Sequence, residues 1–494
     1  MAPSVDSLAD VPRIWLLRAA VAVVVLALLT PAAVSYVTYE ETSHQRGTLT
    51  SVADNETVVS IQGFHFEGEG SGKKPSGMVG VDRRAQTAWT FNGTSADWPV
   101  ETANQSWWFY DVDRLPNGNL LVVNTFPGQT FVSEYDPDAG KRVWGKLFPE
   151  MVDTHDVTPL SEHEIAIANM RNYDEEAGVS NDRVVIYNRT REEITWEWRF
   201  RNHYAADVAG GHSEDWTHVN DVDPVGEDRL LLSPRNFDQA IVVDRTTKEI
   251  ELQLGDDENH AVLHEQHNPD YLESADGTPT ILVADSENDR VVEYALVEEC
   301  ERPADVEKAG NRLDCGWERV WSVGGEGQFN WPRDADRLPN GNTLVTDSKN
   351  HRVLEVTPEG EVVWEVYTPW LPYDAERIGT GDESTGPTTR GTNATGAHQL
   401  SGSAGRHEDL SALEACGRHL DGVDQTSADQ WPPASYERNV TTVDGRAGGT
   451  WTGGTADGDT AGDALPADGG SSGTGLVVAL LVVVALAVRS WWQG

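Results

Sequence analysis

Three histidines and one arginine carry the strongest chemical signal in this chain. His155, His218 and His267 stand in DTHDV, WTHVNDV and EQHNPDY, each at the start of a short strand-like run, and Arg235 follows in LLSPRN. A single histidine is usually a hydrogen-bonded loop residue. Three in like contexts, in a chain with 14 histidines, point to a shared site. Three imidazoles can ligate a metal. An arginine beside them repels a cation and suits an anion, because its planar fork donates two hydrogen bonds to sulfate, phosphate or carboxylate oxygens. Neutral imidazole is also a nucleophile, and a second imidazole can act as acid or base. The set therefore favours transfer of a tetrahedral anionic group over metal-assisted hydrolysis. Asn169 and Arg171 (AIANMRN) hold the place of Arg235 one unit earlier, and Asn220 and Asn236 are candidates to bind substrate by hydrogen bonds. His260 and His264 read as loop residues.

These residues can meet only if the fold brings distant segments to one axis, and an internal repeat supplies that. DVDRLPNGNLLVVN (Asp111–Asn124) and DADRLPNGNTLVTD (Asp334–Asp347) share the pattern DxDRLPNGNxLV, and weaker copies begin at His155, Asn220 and His267. Each unit has a turn rich in Pro, Gly, Asn or Asp, then apolar runs that alternate with period two, such as RVVIYNR and RVVEYAL, and a last run that usually carries Trp. Units spaced by roughly 45 to 65 residues suit four-stranded blades. The segment from Ser60 to Phe91 supplies one more, so the expected fold is an all-β, six-bladed β-propeller over residues 50–375. The recurring Trp residues are expected in the core between adjacent blades. Propellers gather the starts of their innermost strands around a central channel, where the three imidazoles and the arginine would converge.

Outside the blades the composition changes. Residues 14–37 (IWLLRAAVAVVVLALLTPAAVSYV) form either a transmembrane helix or a cleaved export signal, after a cytoplasmic N-terminus at 1–13. Residues 376–474, rich in Gly, Thr and Asp, read as a flexible stalk leading to a C-terminal membrane segment at 475–494. Arg13 and Arg489 flank the two apolar segments on the side that suits the cytoplasm, which leaves the propeller extracellular at the cell membrane. The sequons at Asn55, Asn92, Asn104, Asn188, Asn393 and Asn439 all lie between the apolar segments, so these are glycosylation candidates of a glycoprotein. Cys300 and Cys315 are a possible disulfide, leaving Cys416 over. With 81 acidic and 37 basic residues the formal net charge is −44, which reads as a halophilic, solvated surface. No Lys/Arg stripe is present to bind nucleic acid.

The ordered set HDV, HVNDVDPV, SPRN and EQHNPDY on a six-bladed propeller resembles the arylsulfotransferases that use phenolic sulfate esters as donors and need no nucleotide sulfate donor. The resemblance covers roughly residues 60 to 370. It implies a haloarchaeal-type, membrane-anchored sulfotransferase in which His267 is sulfated transiently. It further implies that Arg235 holds the sulfuryl oxygens, that His218 exchanges a proton with the phenol, and that His155 helps bind the sulfuryl group. The implied donor is an aryl sulfate, and the implied acceptor is a phenol or a surface glycan or lipid; no cofactor and no metal are implied. A second reading rests on GEGQFNWPRDADRLPNGNTLVTDSKNHRVLEV, which is similar to NHL propeller repeats and suggests a non-catalytic surface binding or scaffold module.

Overall fold

The structure is a computed structural model and describes residues 53–65, 72–74, 76–85, 87–93, 108–304, 313–368, 370–380 and 383–402. Both apolar end segments, Asn104 and Asn439 lie outside the described residues. Among the described residues no helix is long and apolar enough to cross a membrane.

Six antiparallel sheets surround one axis as blades, with neighbouring inner strands packed side by side. Blade 2 runs Trp108–Arg114, Leu120–Phe126, Gln129–Asp136 and Lys141–Phe148; blade 4 runs Val219–Val225, Arg229–Pro234, Ala240–Asp244 and Ile250–Leu254. Blade 5 contains His267–Glu273, Pro279–Asp285, Arg290–Glu301 and Asp314–Gly324, and blade 6 contains Pro332–Arg337, Thr343–Asp347, Arg352–Val356 and Val362–Tyr367. Blade 3 has three regular strands, Glu164–Asn169, Arg183–Asn188 and Glu193–Arg199. Its inner edge is an irregular stretch joined to them through Ala166 N–H to Thr158 O and Ala168 N–H to Asp156 O.

Blade 1 departs from the sequence reading. The segment after Ser60 does not make a whole blade; Thr57–Ile61, Gly77–Val81 and Thr87–Asn92 form its outer part, and the inner strand is Pro372–Arg377 from the far end of the propeller. The register Thr57↔Arg377 and Val59↔Ala375 closes the ring. PYDAER here repeats PRDADR of blade 6, which is why it fits the same place. The ordered chain also continues past residue 375. Gly396–His398 adds a parallel strand to the outer edge of blade 5, and the Thr389 N–H donates to Glu293, so residues 383–402 are packed chain and not the start of a flexible stalk.

Apolar clusters fill the gaps between blades, because each sheet presents one face to each neighbour. Trp198, Trp321 and Trp364 come from last strands and are at most 1% exposed. Each buries about 200 Å², worth up to about 5 kcal/mol as an upper bound. The Trp198 and Trp321 indoles donate to the carbonyls of Lys248 and Pro358 in the next blade. Buried ion pairs repeat the same logic: Arg337 reaches back to Glu293 at 3.0 Å and Arg377 to Glu355 at 3.0 Å, each from an inner strand to the preceding blade.

Every inner strand carries an aspartate facing the axis: Asp111, Asp156, Asp221, Asp270, Asp334 and Asp374, all buried. Three of these staple one blade to the next. Asp156 accepts from Val222 N–H, Asp334 from Ala375 N–H and Asp374 from Val112 N–H, the donor in each case following the next blade's own aspartate.

One expected surface asparagine is buried, and one cysteine pair is bonded. Asn188 is 5% exposed and its side-chain oxygen accepts from Thr190 and Arg191 N–H groups, so it caps a turn and offers no glycan acceptor in the folded chain. Asn55 and Asn393 are exposed. Cys300 and Cys315 form a disulfide that joins neighbouring strands of blade 5.

Candidate functional site

The site is built where inner strands begin. Asp153, His218, Asn268 and Trp331 all have positive φ there (+55°, +42°, +38° and +58°), a conformation that costs free energy for residues with a Cβ. The kinks let side chains at the strand starts turn toward the axis.

His267 is fully buried and its Nδ1 lies 2.9 Å from Ser286 Oγ. The single hydroxyl proton of Ser286 goes to Pro332 O at 2.7 Å, so the hydroxyl accepts from His267 Nδ1–H. The tautomer is thereby set, and Nε2 carries the lone pair. His218, also fully buried, places Nδ1 2.8 and 3.0 Å from the two oxygens of Asp215. The carboxylate likewise fixes Nδ1 as the N–H, and Nε2 is the basic nitrogen. The His155 ring lies 3.9 Å from the Tyr110 ring, tilted by 35°, and 5.0 Å from the His218 ring, with Nε2 3.7 Å from Asp153 Oδ1.

Tyr373 stands between two of the imidazoles: its ring is 5.6 Å from His155 and 6.3 Å from His267, and 5.0 Å from Tyr110. Trp331 borders His267 at 5.7 Å, so aromatic rings from blades 1, 2 and 6 wall the cluster. His218 and His267 both stand three residues before their blade's axial aspartate, whereas His155 directly precedes Asp156. The three histidines thus share the channel without sharing one repeat position. The residue that does match His218 in blade 3 is Asp153.

Arg235 is 2% exposed and sits in a short 3-10 turn after the second strand of blade 4. Its Nε and Nη2 donate to Asn236 Oδ1 at 3.1 and 3.0 Å, and Nη2 lies 3.6 Å from Glu265. Asn236 in turn donates to Asp215 O at 2.6 Å. Both polar ends of Asn236 are therefore engaged in holding Arg235 against the His218–Asp215 pair. Asn220 is held at one end: its Nδ2 donates to Gln266 O at 2.9 Å, tying blade 4 to the residue before His267, while its buried Oδ1 has no hydrogen-bond partner.

Asp153, Asp215, Ser286, Tyr110 and Tyr373 escaped sequence reasoning. Arg171 bridges the two aspartates, with Nε 2.8 Å from Asp153 and Nη2 3.5 Å from Asp215. Burial opposes ionisation of Asp215, but Arg171, His218 and Arg235 outweigh it and hold its carboxyl well below the usual range. Asn169 lies apart, accepting from Arg183. His260 and His264 stack on each other at 3.8 Å in a loop, with His260 3.3 Å from Asp238.

The arrangement offers a nucleophilic nitrogen, a carboxylate-backed imidazole, a buried guanidinium and an aromatic wall. That combination can take a group from an aryl ester and give it to another acceptor.

No curated protein matches the chain. Solved structures that resemble it include a protein of unknown function from Bacteroides caccae (11% identity, TM-score 0.41, 66% of this chain and 98% of that one). The Myceliophteria thermophila Cps50 (Swd1) β-propeller domain shares 14% identity at a TM-score of 0.37, over 68% of this chain and 98% of that one. Virginiamycin B lyase from Staphylococcus aureus shares 9% identity at a TM-score of 0.31, over 54% and 71%. Residues 50–294, a span that contains His155, His218, Arg235 and His267, match the family model of Arylsulfotransferase (ASST).

Proposed function

We propose that the protein moves a sulfuryl group from an aryl sulfate ester to a phenolic acceptor through a sulfohistidine at His267, without a nucleotide donor. The observation that carries this reading is the Ser286 hydrogen bond, which leaves the lone pair of His267 on Nε2. In the first half-reaction Nε2 of His267 forms a bond to sulfur as the bond from sulfur to the phenolic oxygen breaks. His218, as the imidazolium that Asp215 stabilises through Nδ1–H, gives its Nε2 proton to the departing phenolate and is left neutral with Nε2 basic. Arg235 donates to the sulfuryl oxygens, whose charge spreads in a loose transition state, as in phosphoryl transfer. In the second half-reaction the incoming phenol loses its proton to His218, its oxygen bonds to sulfur, and the N–S bond breaks. A phenol with a pKa near 10 is both a tolerable leaving group and an activatable nucleophile. Tyr110, Tyr373 and Trp331 supply a ring-shaped apolar wall for it.

The expected setting is a cell membrane with the propeller outside, anchored through residues 14–37 and 475–494, in very high salt. At about 1 M salt the Debye length is near 3 Å, so the net charge of −44 does not repel the anionic donor and the local Arg235 governs its binding.

The test is release of a chromogenic phenol from its sulfate ester, with and without a second phenol, in wild type and His267→Ala. Release that accelerates with acceptor and disappears in the variant supports the proposal. A folded protein that releases nothing from several donors instead favours the NHL-like binding propeller.

A further inference from the structure

Below the imidazoles the channel is lined by carboxylates that sulfuryl transfer does not use. One oxygen from each of Asp156, Asp221 and Asp223 lies within 4.8 Å of the other two, and all three residues are buried. The same spacing links Asp223 with Asp270 and Glu383. Most of the axial aspartates have a visible structural duty. Asp156, Asp334 and Asp374 accept from the next blade's backbone, and Asp270 accepts from Ser384.

Asp221 is different. It is 3% exposed, its Oδ2 has no hydrogen-bond partner, and no backbone N–H of blade 5 reaches it. After burial, the groups that bear on it most are Asp156, Asp270, Asp334 and Asp374, all acidic. Arg337 and Arg377, on other inner strands, are paired with Glu293 and Glu355. A buried carboxylate oxygen with neither donor nor counter-charge is costly, so the cluster needs neutralising.

We propose that Asp156, Asp221 and Asp223 bind one hard divalent cation, calcium by the chemistry of the ligands, in the central channel. The ligand set is oxygen only, which selects calcium or magnesium over softer metals that prefer thiolate or imidazole. Calcium takes ligands at 2.3–2.6 Å, so ligand atoms on opposite sides of the ion stand about 5 Å apart, the spread of this trio. Calcium also accepts the irregular geometry that rigid strands impose, whereas magnesium demands an octahedron and keeps its waters. Asp156 follows His155, and Asp221 and Asp223 lie on the strand that His218 precedes. The ion would lock the inner edges of blades 3 and 4 together. This role is structural and stands whether or not the protein transfers sulfate.

The test uses the full chain, dialysed against chelator and then against buffer containing calcium or magnesium, in constant high salt. Metal content and Tm are measured for wild type, Asp221→Asn and Asp223→Asn. The proposal expects calcium retained by wild type, a Tm that falls by several degrees with chelator and returns with calcium more than with magnesium, and loss of that response in both variants. Wild type that retains no divalent ion and melts identically in chelator and calcium overturns it. Asp221→Asn melting higher than wild type in that experiment would show that protons neutralise the cluster instead. Should either variant fail to fold, the wild-type metal content and calcium response decide alone.

Discussion

Ser286 Oγ stands 2.9 Å from His267 Nδ1 and gives its own proton to Pro332 O, so a residue of blade 5 and a carbonyl of blade 6 together decide which nitrogen of the imidazole is basic. Ser286→Ala removes the acceptor for Nδ1–H and frees the ring to change tautomer. Partners that orient metal-ligating imidazoles are worth about 10- to 100-fold, and an effect of that order is expected for a nucleophilic imidazole oriented likewise. The expected outcome is a fall in kcat of that order with KM little changed, read from steady-state kinetics with an aryl sulfate.

Asp215 holds His218 and is itself held by Arg171. In Asp215→Asn the amide cannot both keep the shape and support an imidazolium. General acid–base catalysis contributes about 10²- to 10⁴-fold, and the variant should lose a part of that. The loss should be greatest for donors with poor leaving groups and smallest for those whose phenol has a low pKa, because an acidic phenol departs without a proton. An equal loss across a series of leaving groups would place His218 outside proton transfer.

Ring closure rests on chain ends that are far apart in sequence. Arg377, 1% exposed, is paired with Glu355 across blades 1 and 6. Arg377→Met leaves a buried carboxylate without its counter-ion and is expected to cost about 3–5 kcal/mol in urea unfolding. The double variant Arg377→Met with Glu355→Leu should regain most of that loss, since removing both charges leaves neither uncompensated.

Asp238 accepts N–H groups from Glu258 and Glu265 and so pins the loop that leads into His267. Burial pushes its carboxyl up to about 6, against a smaller opposing pull from the Glu265 N–H and from His260. The folded chain therefore holds this proton more tightly than the unfolded chain. Its contribution to stability is fully present below the unfolded pKa near 4 and is lost as pH rises through about 6. The Tm of wild type minus that of Asp238→Asn should grow as pH falls from about 7 to about 4. A difference independent of pH would refute the shift.

How far the sequence could be read depended on whether a feature was local. DxDRLPNGNxLV announces turns and inner strands through residues a few positions apart, and the blades follow it closely. His267, His218 and Arg235 were legible because few residue types do their chemistry. Asp215 and Ser286 were not, since aspartate and serine are common on loops and their roles depend on which imidazole the fold sets beside them. The misassigned inner strand of blade 1 was available in the match of PYDAER to PRDADR, but pairing Thr57 with Arg377 is a contact across the whole propeller. The Asn236 amide is engaged at both ends by Arg235 and Asp215, and Asn220 is engaged through Nδ2 by Gln266, partnerships that only the fold reveals. Asn188 satisfies the sequon triplet and is buried by the turn it caps. Residues 383–402 share the stalk's composition, and only the tertiary contacts with blade 5 order them.

The most direct measurement is a single-turnover reaction with an aryl sulfate and no acceptor, quenched at alkaline pH and digested for mass spectrometry. The account predicts one sulfuryl group on the peptide that contains His267, formed with the burst of phenol and discharged when a phenol is added. Phenol release with no modified peptide, or a sulfuryl group on His218 or His155 instead, would contradict it.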